Sequence, residues 1–252
     1  MRVAVAGGTG LVGSHVVGGL SKRGHVPVVL ARARGVDLLT GTGLAEALEG
    51  VEAVIDVSNI VTTGRRASVG FFETATTNLL ARARDAGVRH HVVLSIVGVD
   101  RVRFGYYEGK LRQERLALDG AVPATVLRAT QFHEFAGQLL DRVPGPVAFL
   151  PRQLIRPVAA AEVAAELVTT ALAEPRGLAD ELAGPEKHQL VDLARKVSAR
   201  HGRRRPIIGV RLPGEGGRAM ATGGLLPGTG ARYGTQTFDE WLADERLGGV
   251  RA

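Results

Sequence analysis

A doubly wound α/β domain, with a parallel sheet between two layers of helices, is the fold this sequence predicts, and three observations carry it. The chain opens on an apolar run, Val3-Ala4-Val5-Ala6, followed by glycines at 7, 10 and 13 and a helical stretch over residues 11–23. Short apolar segments then alternate with amphipathic ones along most of the chain, which is the pattern of repeated βαβ units. The length of 252 residues suits one such domain with a subsidiary lobe. Together these give a single Rossmann-type domain. Its core covers about 1–130 plus 155–185, and a small C-terminal substrate lobe takes about 131–154 and 186–252.

Strand, glycine turn and helix in that order form a cradle for a dinucleotide. Gly7 permits a sharp bend, Gly10 admits a pyrophosphate close to the backbone, and Gly13 lets helix and strand approach. The helix N-terminus then faces the anion, and the backbone of Thr9, Leu11 and Val12 lies beside it.

Composition limits the rest. Hydrophobic residues make up 45% and charged residues 23%, and no apolar run is long enough to span a bilayer. The first strand starts at Arg2, leaving no room for a signal peptide, and zero cysteines remove disulfides and thiolate metal sites. A cytoplasmic location without a metal site is expected. The net charge is +7, yet only four basic residues are lysines and the arginines are spread along the chain. The one dense cluster, Arg203-Arg204-Arg205, sits at a helix-to-strand connection without interleaved aromatics and reads as a solvated loop. No nucleic-acid or membrane partner is expected, a small-molecule substrate is, and no feature of the chain sets an oligomeric state.

Residues 26–31 form a second apolar segment, and its end carries Arg32 and Arg34 where dinucleotide folds meet the adenosine ribose. An acid there would bind both ribose hydroxyls of NAD, whereas arginine suits a 2′-phosphate, so NADP(H) is favoured over NAD(H). A short segment at 36–39, counted as the third strand, and a small helix at 44–49 lead to a strand at 53–57 ending in Val57-Ser58-Asn59. These three residues stand where ligands bind parallel sheets, although Ser-Asn is also common turn chemistry.

A basic loop at 64–66 precedes a helix over 71–86 closed by Gly87, and the fifth strand covers 91–96. His90 and His91 are adjacent, point to opposite faces and read as structural. Ser95 lies at that strand's end. Eleven residues later Tyr106-Tyr107-Glu108-Gly109-Lys110 opens a helix to about 118, with Tyr106 and Lys110 on one face. A phenol of pKa about 10 is a poor proton donor near neutrality, and an adjacent ammonium lowers that value. Gly109 costs that helix about 1 kcal/mol relative to alanine and reads as a local soft point.

The sixth strand, 124–127, leads into Arg128-Ala129-Thr130-Gln131-Phe132-His133, which carries Gln131 and Phe132 over the nicotinamide end. His133, beside two phenylalanines, reads as structural. An interrupted strand region beyond Pro144, an Ala-rich helix to about 173, a strand ending at 182–184, a helix at 190–201, a strand at 207–212 and a final short helix around Trp241 follow. The glycine-rich stretch 214–230 reads as a surface loop or a mobile cover.

The order Gly7-Gly8-Thr9-Gly10-Leu11-Val12-Gly13, Ser95, Tyr106 to Lys110, Leu127-Arg128-Ala129-Thr130-Gln131-Phe132 and Thr237-Phe238-Asp239-Glu240-Trp241-Leu242 resembles the atypical short-chain dehydrogenase/reductases of the NmrA-like NAD(P)H-binding group. The resemblance covers nearly the whole chain. It implies that Tyr106 is the proton donor, that Lys110 binds the nicotinamide ribose and tunes Tyr106, and that Ser95 hydrogen-bonds the substrate carbonyl. The implied reaction is reduction of a carbonyl or quinone by NADPH. The same group includes sensors that bind the dinucleotide without turning it over, so a non-catalytic NADP(H)-sensing regulator is the alternative. Sensors of that kind tend to lack the tyrosine, which is present here.

Overall fold

The structure, a computed structural model, describes residues 1–203 and 205–244. Its first half alternates strand and helix: β1 (Arg2–Ala6), α1 (Leu11–Lys22), β2 (Val26–Leu30), α2 (Leu44–Ala47), β3 (Ala53–Asp56), α3 (Arg65–Asp85), β4 (His90–Ile96), α4 (Gly105–Leu118) and β5 (Ala124–Ala129). There follow α5 (Phe135–Arg142), β6 (Ala148–Pro151), β7 (Leu154–Ile155), α6 (Ala160–Ala171), β8 (Gly177–Leu178), β9 (Leu182–Ala183) and β10 (His188–Gln189). The last elements are α7 (Leu190–Arg200), β11 (Ile207–Val210), α8 (Gly214–Ala221), β12 (Arg232–Tyr233) and α9 (Phe238–Asp244).

The main sheet runs β12-β9-β5-β4-β3-β1-β2, with β8 beside β5, and every pairing in it is parallel. Alternation along β1 sorts the two faces. Val3 and Val5 pack with Val12, Val16 and Leu20 of α1 and Val163, Leu167 and Val168 of α6. Ala4 and Ala6 face Leu44 of α2, Leu48 just after it, and Leu79 and Ala83 of α3. Each fully buried branched side chain contributes about 1.5–3 kcal/mol, so the two layers, not helix propensity, hold the sheet. Because β1 has β2 on one side and β3 on the other, the winding reverses between β1 and β3, which opens a crevice at their carboxyl ends. No helix among the described residues is long and apolar enough to cross a membrane.

A second core forms the C-terminal lobe, where α5, α7 and α9 pack with β6 and β11 through Leu140, Leu150, Leu193, Val197 and Phe238. Helix α5 was not legible in the sequence. Four further segments differ from expectation. Residues 36–39 form no strand, because Asp37 Oδ1 takes the Leu39 N–H at 2.8 Å and the Asp37 N–H donates to the Thr42 carbonyl, closing the backbone bonds locally. Helix α3 begins at Arg65, inside the expected loop.

The glycine-rich stretch 214–230 is neither a free loop nor a cover. Its first half is α8, and added Cβ atoms at Gly216 and Gly217 would lie 2.1 Å from the Arg103 carbonyl oxygen and 2.2 Å from that of Leu212. These glycines permit close backbone docking. Met220 and Leu225 then bury against Val99, Val102 and Tyr107. Segment 232–233, counted with the lobe by sequence, extends the main sheet as β12. Arg203 and Arg205 are tied down as well: Arg203 pairs with Asp141, and Arg205 Nη1 donates to the Val143 carbonyl at 2.7 Å, at the C-terminal end of α5. Arg204 lies outside the described residues.

Candidate functional site

The crevice is built on glycines that nothing larger could replace. Gly7 has φ +79°, and a Cβ there would meet the Val57 carbonyl oxygen at 2.8 Å and Ser58 Cα at 3.0 Å, so the turn after β1 rests directly on the turn after β3. A Cβ at Gly13 would come within 2.1 Å of the Gly7 carbonyl oxygen, and this sets how closely α1 approaches the strand. Helix α1 has Gly10 at its N-cap, no side-chain cap and no acid in its first turn. Its first backbone N–H groups and the positive end of its dipole suit an anion. Thr9 and Gly10 are exposed, Leu11 is half-buried on the core, and the Val12 side chain is buried in it. What these residues present to a ligand is backbone.

At the ends of the neighbouring strands stand polar groups that make no bond with the described residues. Ser58 Oγ, Ser95 Oγ and Gln131 Oε1 are buried without a hydrogen-bond partner, an arrangement that folding alone disfavours and a polar ligand would relieve. Val57 is half-buried, and Phe132 bridges to Val158 above the α1–α6 core. Arg32 and Arg34 lie on a 3-10 turn after β2, both exposed and neither guanidinium in an ion pair or hydrogen bond with the described residues. A dinucleotide fits the residues present: the start of α1 suits an anion, and polar atoms stand unpartnered among the described residues at the ends of the neighbouring strands.

Tyr106 reaches this crevice from α4. Its hydroxyl donates to Asn59 Oδ1 at 2.7 Å, so two of the residues singled out in the sequence meet. The helix is fixed from behind. Ser68 Oγ of α3 donates to the Tyr106 carbonyl at 2.8 Å, and a Cβ at Gly109 would stand 2.2 Å from that same Oγ. Gly109 is thus a close-packing position between α3 and α4, not a soft point. The Tyr106 ring meets Phe72 and Tyr107 edge to face.

Lys110 does not join Tyr106. It is 5% exposed, and its ammonium donates to the Leu94 carbonyl at 2.6 Å and to Gln113 Oε1, with the Phe72 ring centroid 4.8 Å away. Burial brings its pKa down to about 8, with Asp56 and Glu114 opposing the shift. The phenol of Tyr106 is pushed up to about 12 by burial, the reverse of the depression expected from an adjacent ammonium. His133 is buried beneath Phe238 and Trp241, and its Nε2 is 3.1 Å from the Gln236 carbonyl oxygen.

Sequence reasoning missed the polar layer beneath α4. Lys110, Gln113, Glu114 and Ala117 form its buried face, and Asp56 and Arg128 rise from the strands to meet it. The signal was present: a carboxylate closes the apolar run Ala53-Val54-Ile55, an arginine stands between Val126-Leu127 and Ala129, and polar residues recur at i, i+3 and i+4 from Lys110.

No protein-family model and no curated protein matches this sequence. Solved structures do. NADPH-dependent quinone oxidoreductase QOR2 from Escherichia coli, complexed with NADPH, is 22% identical with a TM-score of 0.69, over 96% of this chain and 99% of its own. UDP-glucose 4-epimerase from Thermus thermophilus, in complex with NAD, is 19% identical with a TM-score of 0.71, over 99% and 100%. MoeE5 in complex with UDP-glucuronic acid and NAD is 20% identical with a TM-score of 0.71, over 96% and 97%. At these identities the likeness shows the fold, and the fold is Rossmann-type.

Proposed function

We propose that the chain is an NADPH-dependent oxidoreductase of the atypical, NmrA-like short-chain dehydrogenase/reductase group, reducing a carbonyl or quinone-type small molecule with Tyr106 as proton donor. The observation that carries this reading is the bond from the Tyr106 hydroxyl to Asn59. It ties a phenol to the turn that rests on Gly7. The likeness to structures solved with NADPH or NAD supports the cofactor class, and Arg32 and Arg34 support the 2′-phosphorylated form.

Bound in the crevice, the nicotinamide supplies a hydride to an electrophilic carbon. The chain does the rest. Backbone N–H groups at the start of α1 hold the pyrophosphate, and the guanidinium groups of Arg32 and Arg34 hold the 2′-phosphate. Ser95 Oγ, buried and without a partner among the described residues, donates to the substrate oxygen. Tyr106 gives its proton to that oxygen as charge develops there. A pKa near 12 keeps the phenol protonated at neutral pH, and the alkoxide formed from a carbonyl substrate is basic enough to take the proton.

One observation favours a second reading, a non-catalytic NADP(H)-responsive regulator: the Lys110 ammonium is engaged by Leu94 and Gln113 and makes no bond to Tyr106. A screen of NADPH consumption with quinones, ketones and aldehydes separates the two. The reductase turns over at least one acceptor class and loses that turnover in Tyr106→Phe while NADPH affinity stays. Tight NADPH binding with no acceptor consumed leaves the regulator.

A further inference from the structure

The buried face of α4 carries two charge circuits. One is closed: Arg128 Nε and Nη2 donate to Glu114 Oε1 and Oε2 at 2.9 and 2.7 Å, and Arg128 Nη1 donates to Asp100 Oδ2 at 2.8 Å. The other runs the width of the site. From the Leu94 carbonyl it passes through the Lys110 ammonium to Gln113 Oε1, then from Gln113 Nε2 to Asp56 Oδ2 at 2.8 Å, and from Asp56 Oδ1 back to the Ser58 N–H at 2.9 Å.

We propose that Asp56 and Gln113 are positioning residues, which keep Lys110 charged and aimed at Leu94 and fasten it to the 57–59 turn, so that Tyr106 and the glycine cradle move as one body. The proposal rests on reading Tyr106 and the cradle as the site. Its logic is the asymmetry of an amide. Gln113 must accept from an ammonium at one end and donate to a carboxylate at the other, which a primary amide does and neither a carboxylate nor a hydrocarbon can. Leucine would leave the ammonium and Asp56 each one bond short in a dry interior, and glutamate would set two carboxylates side by side.

Charge around Lys110 is accounted for. From β3 comes Asp56, 1% exposed. From β4 come the Leu94 carbonyl and His91, whose Nε2 is 4.0 Å from Asp56 Oδ2, and burial keeps that imidazole low in pKa and neutral. From α3 comes the Phe72 ring, and α4 itself adds Tyr106, Tyr107 and Glu114, the last held by Arg128. Asp56 is therefore the carboxylate left to balance the ammonium. At its other oxygen it holds the turn against which Gly7 packs and from which Asn59 accepts the phenol.

The chain has four lysines, at 22, 110, 187 and 196, so 13C-lysine labelling of the whole chain resolves each titration by NMR, with Lys110→Met assigning the site. In the wild type Lys110 titrates near 8. Asp56→Asn and Gln113→Leu each lower it by about one unit or more, as loss of an opposing charge or its relay requires, and Gln113→Glu raises it. The Gln113→Glu arm keeps side-chain length and serves if the other two do not fold. A Lys110 titration within about 0.3 unit of wild type in any folded variant, a small fraction of that expected shift, overturns the proposal. NADPH affinity, read by fluorescence, falls about tenfold in Asp56→Asn if the turn is fastened as described, and unchanged affinity overturns that half. Absence of turnover in the wild type defeats the reductase reading alone, because neither readout depends on catalysis.

Discussion

Gly109 of α4 stands so close to Ser68 of α3 that a Cβ on the glycine would lie 2.2 Å from the serine hydroxyl oxygen. Helix propensity alone makes Gly109→Ala stabilising by about 1 kcal/mol. Close packing reverses the sign, and the substitution destabilises by about 1–3 kcal/mol. Urea denaturation of the two proteins decides by the direction of the midpoint shift.

The cradle glycines divide in the same way. Gly13→Ala drives a Cβ against the Gly7 carbonyl and abolishes NADPH binding, measured by fluorescence or calorimetry. Gly18→Ala, on the same helix with nothing within 4 Å of the added methyl, leaves binding intact and gains about 0.5–1 kcal/mol. Equal loss of binding in both variants would mean that α1 answers to general stability and not to ligand approach.

Replacing Arg32 and Arg34 together by alanine weakens NADPH at least about tenfold and leaves NADH nearly unchanged, since a charge-assisted bond to phosphate is lost and neither arginine supports the fold. Dissociation constants for the two cofactors, taken at one ionic strength, test it. A parallel loss for NADH would move the arginines away from the 2′-phosphate.

Truncating Arg128 to methionine costs about 3–5 kcal/mol, because it strands the Glu114 carboxylate, 2% exposed, without its bidentate partner. Chemical denaturation at neutral pH reads the loss. Replacing Arg112, whose pairing with Glu73 is largely solvent-exposed, changes stability by no more than about 1 kcal/mol.

Three buried histidines set a pH dependence. Desolvation lowers the pKa of His90, His91 and His133 in the folded chain, so below the unfolded value of about 6.5 the unfolded state binds more protons. Stability is complete above about 6.5 and falls as pH drops through that value toward the lowered folded pKa values. Denaturant midpoints between about pH 8 and pH 5 follow this slope, and His133→Gln makes it shallower. A flat profile there would show these imidazoles to be charged or solvated in the fold.

Local chemistry was legible; long-range closure was not. The Gly7, Gly10 and Gly13 spacing announced strand, turn and helix, because those roles depend on backbone freedom that only glycine has. Tyr106 and Asn59 were each marked by position, but 47 residues separate them and nothing local showed that they bond. Gln113 stayed unnoticed because an amide on a helix reads as a solvent-facing residue until a carboxylate from another strand arrives opposite it. Residues 214–221 read as loop because their glycines count against a helix, whereas they serve the docking of one backbone on another.

The strand order also dictates how the molecule is made. β1, β2, β3, β4 and β5 find their neighbours in nearly the sequence in which a ribosome delivers them, so most of the sheet can assemble on the nascent chain. β9 emerges more than 50 residues after β5, and β12 about as long again after β9. Until β8 and β9 arrive, β5 (Ala124–Ala129) offers an unpaired, apolar edge to its crowded surroundings or to a second nascent copy. Pairing by a second copy in that interval is the route by which such a chain misassembles.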